Sequence, residues 1–275
     1  MINETNVYRL NTKGDAKFLT FKAFEKLPHL SHVFTTRIGG VSSGCCQSWN
    51  FGFPNELDSM ENRMENCKIL ADVMNITLDD FVWTNQTHTD NIRLVTKDDC
   101  GKGITRHRDY EDIDGLITNV KGLALVTIHA DCNAIYFYDP VTSSIGLAHS
   151  GWKGTLYGIA AKMVSKLIDS FGVDPSNLVV GIGPSLCQDC FQVDHDVAAA
   201  FIDRDSSYDN FIYHLDSKSY IDLWEINKQL LTCAGVLPPN IHCMELCTKE
   251  NPDMFFSHRF QNGKRGLMAA SIMIK

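Results

Sequence analysis

The stretch between residues 123 and 171 constrains the fold of this chain more than any other part of the sequence. Three short apolar runs, at residues 123–128, 134–138 and 145–148, have the length and composition of β-strands. Because so little chain separates them, we expect the strands to pair antiparallel. A helical pattern follows, with apolar side chains on one stripe at positions 156, 159, 160, 163, 164, 167, 168 and 171. The stretch therefore predicts a sheet with a helix packed on it.

The rest of the chain alternates between the same two kinds of pattern. A hairpin turn is predicted at residues 11–15 and a strand at 178–182. A helix is predicted with Asp58 as N-cap and Glu61 three residues later, and its buried face comprises Met60, Met64, Cys67, Ala71 and Met74. Further helices are predicted at 194–202 and 222–234, and a C-terminal hairpin is predicted at 254–259 and 267–274.

These elements interleave without strict βαβ alternation, so the predicted fold is α/β, with a mixed β-sheet covered by helices. No linker rich in proline, serine or glycine, no charge block and no internal repeat divides the sequence. We therefore expect residues 1–275 to form a single domain, although this is long for one core.

Composition and charge exclude several classes of function. With 33 acidic and 25 basic side chains the net charge is −8, which argues against nucleic acid as the main partner. The longest apolar runs fall far short of the roughly 20 residues that cross a bilayer, so we expect no transmembrane helix and no membrane partner. The N-terminus has neither the basic start nor the apolar stretch of a secretory signal, which predicts a cytoplasmic protein.

Ten cysteines are spread along the chain, and in a reducing cytosol we expect most of them to be free thiols. Close pairs occur at positions 45 and 46, 187 and 190, and 243 and 247. Cys187 and Cys190 have the CxxC spacing of redox and zinc motifs, but no second CxxC completes a four-sulfur site. We therefore interpret all three pairs as packed or solvent-exposed thiols.

His88, Cys132 and His149 each fall where an apolar strand ends and a turn begins, which is where sites are usually built on a rigid sheet. Two imidazoles and one thiolate suit Zn²⁺, and three protein ligands leave a fourth position open, as in catalytic sites. The alternative is a Cys132 nucleophile with His149 as its base and an acid such as Asp114 orienting the imidazole. A thiolate bound to a metal is a poor free nucleophile, so the two hypotheses exclude each other for one state of the site.

Ten short motifs, in order, make the chain resemble the YfiH family over nearly its whole length. Members of this family are described both as laccase-domain or polyphenol oxidase proteins and as broad-specificity purine nucleoside phosphorylases. The motifs are FTTRIGGVS from Phe34, WNFG from Trp49, Asn62-Arg63, Gln86-x-His88, DGLIT from Asp114, Ala130-Asp131-Cys132, HSGWKG from His149, GIGP from Gly181, Cys247-Thr248 and Phe256-Ser257-x-Arg259.

The resemblance implies a three-layer α/β fold and a metal site on His88, Cys132 and His149. It implies phosphorolysis of purine nucleosides such as adenosine, inosine, guanosine and methylthioadenosine by phosphate, with deamination of adenosine as a second activity. It also leaves two alternatives open: oxidation of phenols with copper, and a role in peptidoglycan fidelity with Cys132 as a hydrolytic nucleophile. The chain has no His-x-His pair, which disfavours a multicopper laccase mechanism.

Phosphorolysis needs cationic side chains for the phosphate dianion, which arginine binds through two hydrogen bonds. We expect this role of Arg259 and of Arg37, which lies in a glycine-rich turn whose amides can approach an anion; ordinary salt bridges are the alternative for both. Asp131, beside Cys132, is expected to shuttle protons or bind a ribose hydroxyl, or else to be a turn acid. Asn50 is expected to hydrogen-bond the ligand, with helix capping or turn formation as the alternative.

The sequence departs from the family pattern at three places. His129 stands where a threonine is usual, and a turn is needed to bring its imidazole close to Cys132. Lys153 replaces an arginine and cannot reproduce a bidentate contact. Leu267 also replaces an arginine, whereas Arg265, expected on the same strand face, lies two residues earlier. If the missing arginine binds phosphate in the family, two alternatives stay open: Arg265 replaces it, or this chain lacks the contact and with it the basis for phosphorolysis.

Overall fold

The computed structural model describes residues 4–27, 29–52 and 56–275, and over these ranges the chain forms six α-helices and fifteen β-strands. The helices are α1 (Lys22–Glu25), α2 (Met60–Met74), α3 (Trp152–Leu156), α4 (Ile159–Phe171), α5 (His195–Arg204) and α6 (Leu223–Cys233). The strands are β1 (Tyr8–Lys13), β2 (Ala16–Phe21), β3 (Leu30–Thr35), β4 (Phe81–Trp83), β5 (Ile92–Leu94), β6 (Gly115–Thr118), β7 (Ala124–His129), β8 (Asn133–Asp139), β9 (Ser144–Ser150), β10 (Val179–Ile182), β11 (Gln192–Val193), β12 (Ile212–Leu215), β13 (Lys218–Ile221), β14 (Ile241–Cys243) and β15 (Met268–Ile274). None of these helices is long and apolar enough to cross a bilayer.

Most of the described strands belong to two mixed sheets of six strands each. The first sheet has the order β1-β2-β3-β15-β7-β4, and its parallel pair is β4 with β7. The second has the order β14-β10-β8-β9-β6-β5, with a parallel pair at each edge, β10 with β14 and β5 with β6. A small antiparallel sheet has the order β11-β13-β12.

The two large sheets pack face to face, and helices cover their outer faces. Successive side chains of a strand point to opposite faces, so Tyr136 of β8 joins the core between the sheets with Phe34 and Leu125. Its neighbours Ile135 and Phe137 join the cluster formed with α4, and α2 covers the first sheet in the same way. Each large apolar side chain buried like this stabilises the fold by about 1.5–3 kcal/mol. The predicted α/β class, with mixed sheet and covering helices, is confirmed.

The three apolar runs at residues 123–128, 134–138 and 145–148 form β7, β8 and β9, but they do not all pair with one another. β8 and β9 pair antiparallel, as expected, with Ala134 opposite His149. β7 instead lies in the first sheet between β15 and β4, so the predicted pairing of the first two runs is wrong. Residues 130–132 carry the chain from one sheet to the other, and Asp131 has a positive φ of 86° there. This crossover places Asp131 and Cys132 at the junction of the sheets.

The N-terminal hairpin is confirmed as β1 and β2, and the helices predicted at 194–202 and 222–234 are α5 and α6. Helix α2 begins one residue later than predicted, because its N-cap is Ser59, whose hydroxyl accepts a hydrogen bond from the amide of Asn62 at 3.1 Å. Of its predicted face, Cys67, Ala71 and Met74 are buried, Met64 is half-buried and Met60 is exposed.

The predicted C-terminal hairpin is wrong in its first half. β15 forms and pairs with β3 on one side and β7 on the other. Residues 254–259 form turns instead, because the amides of Phe255 and Gln261 each donate to a carbonyl four residues back, at 3.0 Å. Arg265 therefore lies in a loop ahead of β15 and not on the strand.

Candidate metal centre

Three side chains from separate segments converge at the junction of the two large sheets. His88 lies in the loop between β4 and β5, Cys132 at the crossover into β8, and His149 near the end of β9. One ring nitrogen of each histidine and the Cys132 sulfur all lie within 4.8 Å of one another. His149 is buried, Cys132 is partly exposed and His88 is exposed. This histidine–cysteine cluster is a donor set that zinc accepts, with an open side toward His88.

A single buried carboxylate, Asp114, fixes both histidines. It lies directly before β6 and is fully buried. It accepts hydrogen bonds from Nδ1 of His149 at 2.7 Å and from the backbone amide of His88 at 3.2 Å. The amides of Thr87 and Thr89 donate to it as well, at 3.1 and 2.9 Å. Because Nδ1 of His149 is held by the carboxylate, Nε2 is the ring nitrogen that faces Cys132 and can bind a metal, as in carboxylate–histidine–metal arrangements.

The charges of the cluster favour a thiolate. Burial acts to raise the pKa of Cys132, but the charge of His149 and hydrogen bonds from His149 and His88 outweigh burial and lower it to about 6. Burial acts to lower the pKa of His149, whereas the Cys132 thiolate and Asp114 raise it to about 9. Without metal, the cluster therefore holds a thiolate beside an imidazolium at neutral pH. The thiolate is the form that binds a metal or attacks an electrophile.

Gly151 leaves room beside the sulfur. A Cβ atom at this position would lie 3.0 Å from Sγ of Cys132 and 3.0 Å from Cδ2 of His88. Both distances are shorter than the optimal separation of nonbonded atoms, about 3.5–4.0 Å, so a side chain here would push the two donors aside. The first glycine of the HSGWKG motif, Gly151, therefore keeps space for the Cys132 and His88 side chains that a larger residue would occupy.

The cluster opens onto a cavity of about 300 Å³, which is large enough for part of a small-molecule ligand. Apolar side chains and cationic or ionisable side chains share its lining: Trp152, Leu186 and Phe191 on the one hand, and His258, Arg259 and Arg265 on the other. Asp131 lines the same cavity. The pocket therefore offers both a surface for a flat apolar group and charges for an anion.

Asp131 anchors the crossover to the segments around it. One carboxylate oxygen accepts a hydrogen bond from the hydroxyl of Thr248 at 2.6 Å, and the other accepts one from the backbone amide of Arg259 at 2.7 Å. Each carboxylate oxygen has two lone pairs, so Asp131 keeps acceptor capacity toward the pocket.

The two pocket arginines differ in how their donors are used. Arg259 donates from one terminal nitrogen to the carbonyl of Gln192 at 2.7 Å, and its guanidinium lies 5.8 Å from the centre of the Phe191 ring. Nε of Arg265 is buried and has no hydrogen-bond partner among the described residues. Burial lowers the pKa of Arg265, against the opposing charge of Asp131. A buried cationic donor without a partner is costly, so this nitrogen is available to a hydrogen-bond acceptor in the pocket.

Arg37, which is expected from the sequence to bind phosphate, lies at a different cavity from the one at Cys132. Arg37 is not one of the described residues that line the pocket at Cys132. Its Nε and one terminal nitrogen donate to the carbonyls of Gln47 and Pro252, each at 2.9 Å, and it lines a separate cavity of about 320 Å³. These are hydrogen bonds to the backbone and not the salt bridges given as the alternative.

Asn50, expected either to bind the ligand or to cap a helix or form a turn, makes hydrogen bonds within the fold. It is buried; its amide nitrogen donates to Asp58 at 2.7 Å, and its side-chain oxygen accepts from the amides of Gly52 and Leu267 at 2.8 Å. It therefore links two loops, and neither Asn50 nor these partners belong to the pocket lining.

A turn does bring His129 close to Cys132, but not as a member of the cluster. Its Nδ1 lies 3.2 Å from the carbonyl oxygen of Cys132 and its Nε2 lies 2.7 Å from the hydroxyl of Thr127. Burial lowers its pKa well below the ordinary value, so the ring is neutral. Both nitrogens are engaged, and the ring braces the crossover.

Trp152 and His258 line the pocket although the sequence did not single them out. Trp152 lies within the HSGWKG motif, in which no role was assigned to this residue, and His258 directly precedes Arg259. Lys153, next to Trp152, is exposed and lies 5.6 Å from the centre of the Trp152 ring.

Comparison with known proteins matches residues 31–275 to the family described as multi-copper polyphenol oxidoreductase laccase. Purine nucleoside phosphorylase YlmD of Bacillus subtilis (strain 168) is 36% identical over 88% of this chain and 87% of its own length. Purine nucleoside phosphorylase LACC1 of Mus musculus is 33% identical over 90% of this chain, which spans 55% of the mouse protein. The crystal structure of Bacillus licheniformis YfiH aligns with a TM-score of 0.88 at 34% identity, covering 97% of this chain and 99% of that one.

The family match extends over most of the chain, and the ten motifs quoted above all lie within it. The solved YfiH structure has the same fold over nearly its full length. The chain therefore belongs to the laccase-domain family that includes YfiH and YlmD.

Proposed function

We propose that the protein is a metal-dependent purine nucleoside phosphorylase, which transfers the ribosyl group of a purine nucleoside to phosphate. The observation that carries the proposal is a single pocket in which the histidine–cysteine cluster meets two arginines, one with a buried, unpartnered donor. The relatives named purine nucleoside phosphorylase support the same activity.

The donor set suits zinc. His88, Cys132 and His149 supply two nitrogens and a thiolate, and Asp114 already orients His149. A zinc ion held by these residues would supply Lewis-acid chemistry with one coordination position open to the pocket. Mg²⁺ and Ca²⁺ prefer oxygen ligands, so this set does not favour them. Copper is the alternative, since nitrogen and sulfur sites bind Cu²⁺ more tightly than Zn²⁺.

Arg265 and Arg259 are the phosphate-binding residues in this proposal, in place of Arg37. Nε of Arg265 would donate to a phosphate oxygen and so gain the partner that it lacks in the protein alone. Arg259 can also bind phosphate, because its guanidinium has five N–H donors and the Gln192 carbonyl accepts a hydrogen bond from only one terminal nitrogen. Asp131 holds the backbone of Arg259 and faces the charge of Arg265, and thereby positions both cations.

The remaining pocket residues suit the nucleoside. In phosphorolysis the bond from ribose C1′ to the purine nitrogen breaks, its electrons leave with the base, and a phosphate oxygen bonds to C1′. Trp152, Leu186 and Phe191 provide apolar surface for the flat base. Burial and the charge of Arg265 lower the pKa of His258, so its neutral ring can hydrogen-bond the leaving base.

Product analysis tests the proposal. Zinc-loaded protein incubated with inosine and phosphate should release hypoxanthine and ribose 1-phosphate, and omission of phosphate should stop the release. We propose the same reaction for adenosine, guanosine and methylthioadenosine, and deamination of adenosine to inosine as a second activity. Absence of base release from all four nucleosides by the zinc-loaded protein would contradict the phosphorylase proposal.

A hydrolase with Cys132 as nucleophile is the second candidate function. The Cys132, His149 and Asp114 side chains form the nucleophile, base and orienting acid of such a mechanism, and the lowered pKa of Cys132 favours it. Iodoacetamide labelling separates the two functions. Cys132 should react in the metal-free protein and be protected in protein as purified, whereas equal labelling in both favours the hydrolase.

A further inference from the structure

Three more cysteines converge next to Leu186 and Phe191, two residues of the pocket lining. The sulfurs of Cys187, Cys190 and Cys247 all lie within 4.8 Å of one another. Cys190 and Cys247 are buried and Cys187 is partly exposed. Cys247 therefore completes the CxxC pair that has no second CxxC in the sequence, whereas Cys243 lies apart in β14.

A turn in the backbone of the CxxC segment brings the Cys187 and Cys190 sulfurs close together. Residues 188–190 form a short 3₁₀ turn, and the amides of Cys190 and Phe191 donate to the carbonyl of Cys187 at 3.1 and 3.0 Å. The amide of Cys187 donates to Sγ of Cys247 at 3.5 Å. Such an amide stabilises a sulfur that carries negative charge, as a metal-bound thiolate does.

A second contact fixes Cys247 against the turn. Ser185 and Cys247 form an isolated parallel bridge, and the amide of Thr248 donates to the carbonyl of Ser185 at 3.0 Å. Two distant chain segments are therefore locked together at the three sulfurs.

The spacing suits a metal better than a disulfide. Sulfurs bound to one zinc ion at about 2.3 Å stand about 3.8 Å apart in a tetrahedron, so the cluster closes on zinc with small side-chain movements. A disulfide requires about 2.05 Å between two sulfurs and leaves the third without a partner. Three thiolates are soft ligands, which select zinc over Mg²⁺ or Ca²⁺.

We propose that Cys187, Cys190 and Cys247 form a second metal site, for a soft divalent cation such as zinc. This three-cysteine cluster is separate from the histidine–cysteine cluster, and the proposal does not depend on the phosphorylase activity. No fourth histidine, cysteine or carboxylate joins the three sulfurs among the described residues, so a water molecule would complete a tetrahedron.

The site has a structural role toward the pocket. Leu186 and Phe191, which flank the CxxC segment, line the cavity. Thr248, next to Cys247, donates to the carboxylate of Asp131 at 2.6 Å. A metal ion at the three sulfurs therefore fixes the pocket wall and the crossover residue Asp131.

Metal content of the full chain, purified without chelator or added metal, tests the proposal. Cys132→Ser disables the first cluster and should retain about one zinc per chain, whereas Cys247→Ser should lose about one relative to the unaltered protein. Cys243→Ser is the matched control, because it removes another buried thiol, and should change nothing. A Cys132→Ser protein without metal, or a Cys247→Ser protein with unchanged metal, would overturn the proposal.

The same measurement separates this proposal from the proposed function. If the first cluster holds no metal, the unaltered protein and Cys132→Ser both contain about one zinc and Cys247→Ser contains none. That result would support the second site and contradict only the metal-dependent phosphorylase.

Cobalt substitution keeps the test decisive if Cys247→Ser does not fold. Cys132→Ser, which keeps all three sulfurs of the second site, should bind Co²⁺ and show thiolate-to-cobalt absorption. The same protein without that absorption, or with a mass lower by two hydrogens as a disulfide requires, would overturn the proposal. Absorption that disappears in a further Cys187→Ser change, but not in a further Cys243→Ser change, would support it.

Discussion

The molecule contains two sulfur-bearing clusters whose surroundings differ sharply. In the histidine–cysteine cluster, two histidines lower the pKa of Cys132 to about 6, and Asp114 holds His149 in place. In the three-cysteine cluster no histidine or carboxylate joins the sulfurs among the described residues, and burial raises the pKa of Cys187 and Cys190. His88 and Cys132 of the first cluster line the pocket, whereas the lining includes none of the three cysteines of the second cluster and only their neighbours Leu186 and Phe191. Neighbouring groups thus determine whether a cysteine is a reactive thiolate at neutral pH or a protonated, unreactive thiol.

Removing one sulfur from each cluster should separate them most strongly. Cys132→Ser should lower kcat/KM for phosphorolysis by about a thousandfold, because the metal loses its thiolate. Cys247→Ser should lower it by about tenfold, through a loosened wall. Steady-state rates with inosine and phosphate measure both, with Cys243→Ser as control and circular dichroism to confirm folding. Equal losses in the two variants would remove the distinction between a reacting and a supporting cluster.

Thiol reactivity in the metal-free protein should differ about a hundredfold at pH 7. Cys132, with its pKa lowered to about 6, is protonated below that pH and a thiolate above it. Its alkylation should therefore accelerate up to neutral pH and then level off. Cys187 and Cys190, with raised pKa values, should stay protonated and react slowly. Iodoacetamide labelling of chelator-treated protein measures this by peptide mass spectrometry, with the exposed Cys233 as accessibility reference. A Cys132 rate that rises only in alkaline solution would contradict the expected thiolate.

Asp114→Asn should remove the carboxylate that distinguishes the first cluster. The amide cannot raise the basicity of the His149 ring or fix its tautomer and orientation as the charged carboxylate does, so metal affinity should fall by about ten- to a hundredfold at the first cluster. Competition with a coloured chelator measures this affinity. Asp139→Asn is the control, because Asp139 is a buried carboxylate at the far end of β8 that accepts from the amides of Val141 and Thr142. Equal effects of the two changes would show that Asp114 acts only through folding.

Only the first cluster was open to prediction from the sequence. Its residues follow apolar strands, and strand ends at a sheet junction are where rigid donors meet, so His88, Cys132 and His149 could be proposed together. Cys247 could not be joined to the CxxC pair, because the bridge to Ser185 depends on the tertiary fold. Arg265 could be named from the sequence as a substitute for the missing arginine, but its place in the pocket lining depends on the tertiary fold.

The misjudged hairpin has a physical reason of its own. The apolar residues Met254, Phe255 and Phe256 have the composition of a strand, but their segment closes turns on itself. Burial of Phe255 and Phe256 as part of a loop satisfies the same apolar side chains that a strand would. The loop positions of Arg259 and Arg265 follow from these turns and not from any local pattern.

The positive charge that binds phosphate should come from Arg265 and not from Arg37. Arg265→Met should raise KM for phosphate by about tenfold, because it removes a charged donor that has no partner within the described chain. Arg37→Met removes an arginine of similar partial exposure, whose donors serve backbone carbonyls, and should leave KM for phosphate unchanged. Initial rates over a range of phosphate concentrations give both values. A higher KM for phosphate in Arg37→Met alone would show that phosphate binds in the cavity lined by Arg37 and Gln47.

Gly151→Ala should have the smallest effect and be confined to the first cluster. The new Cβ would lie 3.0 Å from Sγ of Cys132 and from Cδ2 of His88, so both donors must shift by a few tenths of an ångström. Metal affinity at this cluster should fall about threefold, whereas the three-cysteine cluster should keep its metal. Gly154→Ala is the control from the same motif, since its Cβ would meet the backbone oxygens of Thr89 at 3.3 Å and His149 at 3.6 Å, and no sulfur or ring atom of the cluster is among its nearest atoms. Equal loss of metal from both clusters in Gly151→Ala would mean that they are coupled through the pocket wall, because a contact at Cys132 and His88 has no direct path to Cys247.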